Sequence, residues 1–265
     1  MLNVKDIRLF LFDMDGTLYL GDQLYPFTRE LLATIRAQGK RYLFMTNNSS
    51  KSVEDYVKKL ARLGIEADGG DFITSAQATI HYLKNHHPGL RFYVGGTKSL
   101  LKEFAEAGLD VTDEREGQID AVVLGFDTEL TFRKLDDLSR LLRADIPYIA
   151  THPDYVCPTE YGAVPDCGAV TEMLWYATGR RPVVVGKPEP LMPRLAMERE
   201  GVLPEETLVS GDRLYTDIEC GIRAGCKSLL VFSGETTREQ YEAAERKPTF
   251  AAESCAELLA ALKAL

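Results

Sequence analysis

Residues Arg8–Asp22 read RLFLFDMDGTLYLGD, an apolar run that stops at two aspartates one residue apart and continues into Gly-Thr. An uninterrupted apolar run of this length fits a strand buried on both faces, as in parallel sheets. Its end admits two readings. Asp-Gly after a strand is ordinary turn chemistry. Two carboxylates at the rim of a core, by contrast, are costly unless a cation or a substrate answers them. The rest of the chain has to decide.

Outward from that stretch, strands and helices alternate. The spacing predicts a strand over 7–12, a helix over 27–38 closed by Gly39, a strand over 41–46 that ends in TNNSS, and a helix over 52–63 closed by Gly64. A short strand at 71–74 and a helix from Ser75, with Ser75 as its N-cap, complete a third repeat. Such alternation implies a parallel sheet covered on both faces. HHPG at 86–89 interrupts the pattern, and a second α/β unit follows, with strands near 92–94, 121–124 and 148–150. A loop rich in Pro, Gly and Cys covers 151–168, and a helix over 170–177 leads to GRRP at 179–182. From Val183 the first pattern resumes, with strands at 183–185, 207–210 and 228–232, and an amphipathic helix closes the chain. The expectation is an α/β fold: a doubly wound parallel-sheet core of residues 1–87 and 182–265, with 88–181 inserted as a smaller domain.

Composition narrows the function. The 265 residues are 45% hydrophobic, enough for a real core. A net charge of −9 and a pI near 5.1 argue against nucleic acid or an anionic membrane as partner. Five cysteines without a Cys-x-x-Cys pair fit reduced thiols better than a disulfide framework. No apolar run is long enough to span a bilayer, and Asp13 cuts the N-terminal one too short for a signal peptide, so the chain reads as cytoplasmic.

In open parallel sheets ligands bind beyond the carboxyl ends of the strands. Four such ends are chemically loaded: Asp13 and Asp15; Thr46 and Asn47; Lys187 in VVVGKPEP; Asp212 and Asp217 in LVSGDRLYTDI. Carboxylates gathered there need a cation, and oxygen ligands favour Mg²⁺. The inventory suits phosphoryl transfer. Asp13 is placed as the nucleophile toward phosphorus, with Mg²⁺ and Lys187 screening its repulsion from the phosphate. Thr46, Asn47 and the following amides would hold phosphate oxygens, and Asp15 would move protons. Gly16 lets the chain turn, and Thr17 is positioned to fix the Asp15 rotamer.

The set DMDGT, TNN, GKPEP and GDRLYTD, in that order, resembles the four motifs of the haloacid dehalogenase superfamily, and within it the class IIA phosphatases of the NagD and nitrophenylphosphatase branch. The resemblance spans nearly the whole chain. It implies a Rossmann-like core and an inserted α/β cap of the C2 type. It also implies Asp13 as nucleophile, Asp15 as acid and base, Thr46 and Lys187 as phosphate contacts, and Asp212 as a Mg²⁺ ligand with Asp13 and the Asp15 carbonyl. Asp217 matches the outer acid of the fourth motif. The family's dehalogenases lack the second aspartate, so Asp15 points to a phosphatase, and caps of this subclass imply pairing into a homodimer.

Within the cap, the 151–168 loop carries His152, Asp154, Tyr161 and Asp166 as candidates for substrate specificity; His152 stands where the family usually has Asn. A loop histidine is as readily a solvated one. His81, His86 and His87 read as helix-end surface residues, and Trp175 and Met45 as packing. The expected activity is Mg²⁺-dependent hydrolysis of a small soluble phosphate ester. A phosphotransferase or mutase of the same fold, or a phospho-acceptor module without turnover, are the rivals.

Overall fold

The computed structural model describes residues 2–159 and 161–265. The chain opens with β1 (Leu9–Phe12), all four residues buried, followed by the hairpin β2 (Tyr19–Leu20) and β3 (Gln23–Leu24). Helix α1 (Thr28–Ala37) buries Leu31, Leu32 and Ile35, which recur at helical spacing, and β4 (Arg41–Thr46) follows. Next come α2 (Val53–Arg62), β5 (Phe72–Thr74) and α3 (Ser75–His86). Thr74, rather than the expected Ser75, caps α3, because its hydroxyl accepts from the Gln77 amide while Gln77 returns a bond to the Thr74 amide.

The middle of the chain holds β6 (Arg91–Gly95), α4 (Lys98–Glu106), β7 (Asp110–Thr112), β8 (Ala121–Leu124), α5 (Phe132–Leu141) and β9 (Tyr148–Ala150). Where a loop was expected, β10 (Val156–Thr159) and β11 (Gly162–Pro165) pair as an antiparallel hairpin, and α6 (Cys167–Thr178) and β12 (Val183–Val184) follow. The chain ends through α7 (Leu191–Glu200), β13 (Thr207–Gly211), a π-helical turn (Leu214–Ile218), α8 (Glu219–Ala224), β14 (Lys227–Val231), α9 (Arg238–Ala243), β15 (Phe250–Ala252) and α10 (Ala256–Lys263).

Two compact units result. The first comprises Met1–Thr46, Tyr56–Ile73 and Lys187–Leu265, and the second Asn47–Asp55 and Thr74–Gly186. These limits differ from the expected 1–87, 88–181 and 182–265 at three places, the first being Asn47–Asp55, which follows β4 yet belongs to the second unit. Helix α3 belongs with the second unit, and so does β12, which pairs in parallel with β9 (Val183 opposite Ile149) instead of resuming the first sheet.

In the first unit a six-stranded sheet runs β15-β14-β13-β1-β4-β5. β1 pairs in parallel with β13 on one side and β4 on the other, so Phe12 lies opposite both Ser210 and Phe44. From β1 the chain builds toward β5 on one side, and β13 to β15 fill the other. The strand order therefore reverses beside β1, where open α/β sheets form their crevice. The second unit has its own parallel sheet, β12-β9-β8-β6-β7, and its own core of Tyr93, Leu124, Leu138, Tyr148, Cys167 and Leu174 among others. Met45 is fully buried as read from the sequence. Trp175 is not: it is 37% exposed with the Arg181 guanidinium 4.5 Å above its ring. Among the described residues no helix is long and apolar enough to cross a membrane.

Candidate active site

The first unit holds Asp13, Asp15, Thr46, Lys187, Asp212 and Asp217, while Asn47, expected with them, belongs to the second. Asp13 directly follows β1 and continues its ladder, donating its amide to the Ser210 carbonyl at 2.8 Å. Asp212 directly follows β13, so adjacent parallel strands deliver the two acids side by side. Lys187 reaches into the same place. Its Nζ lies 2.7 Å from Asp13 Oδ1, 2.6 Å from Asp217 Oδ1 and 3.1 Å from the Met45 carbonyl at the end of β4. Its side chain is 3% exposed. Burial alone would lower the lysine's pKa, but Asp13 and Asp217 overcome this and hold it above its ordinary value.

Asp217 sits in the π-helical turn, a rare local geometry that often accompanies functional residues. The turn directs Asp217 Oδ1 at Lys187 while Oδ2 accepts from the Arg213 amide at 3.1 Å. Asp212 is held differently. Its Oδ2 accepts from the Glu235 amide at 2.7 Å, and Oδ1 is buried with no hydrogen-bond partner. Backbone closes around this carboxylate: a Cβ on Gly16 would stand 2.6 Å from Asp212 Oδ2, and one on Gly234 2.0 Å from it. Gly16 also has a φ of +82°, so both space and backbone demand glycine there.

One oxygen each from Asp13, Asp212 and Asp217 lie within 4.8 Å of one another. Burial, and next the neighbouring Asp217, raise the Asp212 carboxyl to about 7. Asp13 is raised chiefly by burial, against the opposing pull of Lys187. A buried set of hard oxygens that resists holding its full negative charge suits a small divalent cation, and Asp212 Oδ1 is an acceptor in want of one. The residues fit Mg²⁺.

Asp15 is placed apart from that cluster. Its Oδ1 accepts from the Gly21 amide at 3.1 Å and its Oδ2 lies 3.5 Å from Lys59 Nζ. Thr17, expected to fix its rotamer, does not: Thr17 Oγ1 is buried and makes no hydrogen bond. Thr46 lies at the end of β4, 7% exposed.

The remaining candidates belong to the second unit. The Asn47 side-chain amide donates to both Asp154 oxygens, at 3.3 and 3.2 Å. His152 is wholly buried, with Nδ1 3.4 Å from Asp154 and Nε2 3.5 Å from Asp166. The imidazole thus lies between two carboxylates, each facing a different ring nitrogen. His152 is no solvated loop residue. Tyr161 stands outside this group, 83% exposed between β10 and β11.

Comparison with known proteins places this arrangement. The family model described as haloacid dehalogenase-like hydrolase matches residues 10–110, and a second, HAD-hydrolase-like, matches 184–258. An acid sugar phosphatase of Staphylococcus aureus is 32% identical over 98% of this chain and 100% of its own length. The chain belongs to the haloacid dehalogenase-like hydrolase family. Among solved members, the 4-nitrophenylphosphatase of Thermotoga maritima superposes with a TM-score of 0.92 at 42% identity, covering 98% of each chain. A glycerol phosphate phosphatase of Mycobacterium tuberculosis, solved in complex with magnesium, is 35% identical with a TM-score of 0.90, covering 98% of this chain and 77% of that one. This HAD-family chain is a Mg²⁺-dependent phosphatase with the Rossmann-like core that its motifs imply.

Several contributors escaped the sequence reading. The Met45 carbonyl and the Glu235 amide are backbone groups with no signature, and Lys59 is one lysine among many on a helix. The turn around Asp217 reads as the start of a helix over 215–224 and is instead π-helical over Leu214–Ile218, with α8 beginning at Glu219.

Proposed function

We propose that this phosphatase hydrolyses small soluble phosphate monoesters, of the size of sugar phosphates, glycerol phosphate or nitrophenyl phosphate, through a covalent phosphate on Asp13. The observation that carries the reading is Lys187 Nζ seated between Asp13 and Asp217, beside an Asp212 oxygen that lacks a partner.

An Asp13 carboxylate oxygen attacks phosphorus as the ester P–O bond breaks. Lys187 neutralises part of the charge that would otherwise repel the phosphate, and Asp217 keeps the ammonium aimed. Asp15 gives its proton to the departing alkoxide. It then takes one from a water molecule, whose oxygen attacks phosphorus and frees Asp13. Asp13, Asp212 and the Asp15 carbonyl would hold the Mg²⁺, which would supply charge neutralisation at the phosphate. Thr46 and the main chain after it bind the phosphate oxygens. The buried His152, Asp154 and Asp166, with the exposed Tyr161, make the 151–168 loop the candidate for recognising the leaving group.

Two copies pair through the second unit. Phe132 on α5, 83% exposed, lines a groove with Leu135, Met173, Leu174 and Ala177 and with the polar Asp136 and Ser139, and Tyr176 on α6 is 87% exposed, apolar surface of the kind a partner covers.

Phosphate release from a panel of esters, with Mg²⁺ and with excess chelator, tests the reading. Asp13→Asn should fold normally and lose roughly a thousandfold or more in kcat. Full turnover in that variant would sink the mechanism, and transfer to an added sugar hydroxyl in place of water would mark a phosphotransferase.

A further inference from the structure

Lys59 and Asp15 belong to different elements of the first unit, α2 and the turn after β1. Lysines on helices are usually solvated, and exposed ion pairs contribute little. Lys59 is unlike these. Its side chain is only 12% exposed, its Nζ lies 4.2 Å above the ring of the buried Tyr19, and the same Nζ is 3.5 Å from Asp15 Oδ2. A π-face on one side and a carboxylate on the other leave the ammonium one favourable place.

Asp15 in turn has few other restraints. It is 45% exposed, it lies in a turn, and the nearby Thr17 hydroxyl makes no hydrogen bond to it or to anything else. One oxygen accepts from the Gly21 amide in the β2-β3 hairpin, and the other faces Lys59. An amide hydrogen bond at one oxygen and an ammonium 3.5 Å from the other, from different elements, bias the carboxylate toward one orientation. Tyr19 ties the arrangement together, since it supplies the ring beneath Lys59 and also forms a β-bridge with Asp15 itself.

We propose that Lys59 is a positioning residue for Asp15, holding the proton-transfer group in the orientation that meets the leaving oxygen; this rests on the acid/base reading of Asp15. The consequence is specific to the leaving group. An alkoxide must be protonated as it departs, whereas 4-nitrophenolate leaves without a proton. A misaimed Asp15 therefore slows the first reaction and spares the second.

The test compares kcat/KM for glycerol phosphate and for 4-nitrophenyl phosphate, at saturating Mg²⁺, in the wild type, Lys59→Met, Lys59→Gln, Lys59→Arg, Asp15→Asn and the Lys59→Met/Asp15→Asn double variant. Circular dichroism establishes that each is folded, and Lys59→Gln serves if the Met variant is not. Lys59→Met should lower kcat/KM for the alkyl ester about tenfold and that for the aryl ester by less than about twofold. Lys59→Arg should restore most of the difference. In the Asp15→Asn background, removing Lys59 should have no further effect. Equal losses on both esters, or a full additional loss in the double variant, would overturn the proposal. If Asp15→Asn itself affects both esters equally, the acid/base reading of Asp15 fails and the role of Lys59 falls with it.

Discussion

A carboxylate here takes its meaning from what occupies its two oxygens. Asp217 has both engaged, Asp212 has one engaged and one orphaned, and Asp15 is held by an amide and an ammonium. In the proposed mechanism these three chemically identical side chains serve as a brace for lysine, a ligand for a cation and a proton carrier. Asp13 and Asp212 were legible as strand-end residues because each directly follows an apolar run that forms a strand of the first sheet. Lys187 follows β12, a strand of the other sheet, so its meeting with Asp13 was not deducible from its own run. Lys59 was not legible, because nothing local distinguishes a lysine that folds over a tyrosine from one that points into water. Gly16 offers a test at this scale. Gly16→Ala puts a Cβ against Asp212 Oδ2 at a φ of +82°, so Asp212 or the turn must shift. The expected loss is about 1–2 kcal/mol of stability, read from the urea midpoint. The Mg²⁺ concentration for half-maximal activity should rise roughly tenfold.

Among the elements, those with four or more apolar residues and a glycine stop were readable to within a residue or two: β4 is found over the expected 41–46, and α1 and α2 lie inside their expected spans. The failures have physical causes. Pro158 and Pro165 disguised the β10-β11 hairpin, since proline inside a run argues against a strand. The VVV at 183–185 reads as a strand in any sheet, and only its pairing with β9 assigns it. Helix α4 carries a consequence of its own. Burial, together with Glu106 and Asp55, raises the Glu103 carboxyl from 4.5 to about 7. A raised carboxyl keeps its proton in the folded chain where the unfolded chain has lost it. Stability therefore falls as pH climbs from about 4.5 to about 7. Glu103→Gln should remove that part of the slope, leaving the protein about 1–2 kcal/mol more stable than wild type at pH 8 and little changed at pH 4. Urea unfolding at the two pH values decides it.

For the molecule as a whole, the alternation of strands and helices announced a parallel α/β fold, and the long interval between TNN and GKPEP announced an insertion. The exact junctions were not legible, because α3 and β12 look the same in sequence whichever unit they join. Pairing through the second unit is tested at this scale: Phe132→Glu places a charge on the exposed groove and should convert a dimer into a monomer in light scattering, with the fold intact. A wild type that runs as a monomer would remove the pairing from the reading. The adjacency of β1 and β13 reaches further, into the timing of biosynthesis. Leu9 is paired with Thr207, so at ribosomal speeds of about 5–20 residues per second the strand carrying Asp13 waits roughly 10–40 s for its neighbour to be made. During that wait one flank of β1 is an open edge and Asp212 does not yet exist. The nascent chain can form its inserted unit early, yet it becomes a catalyst only when its last third arrives.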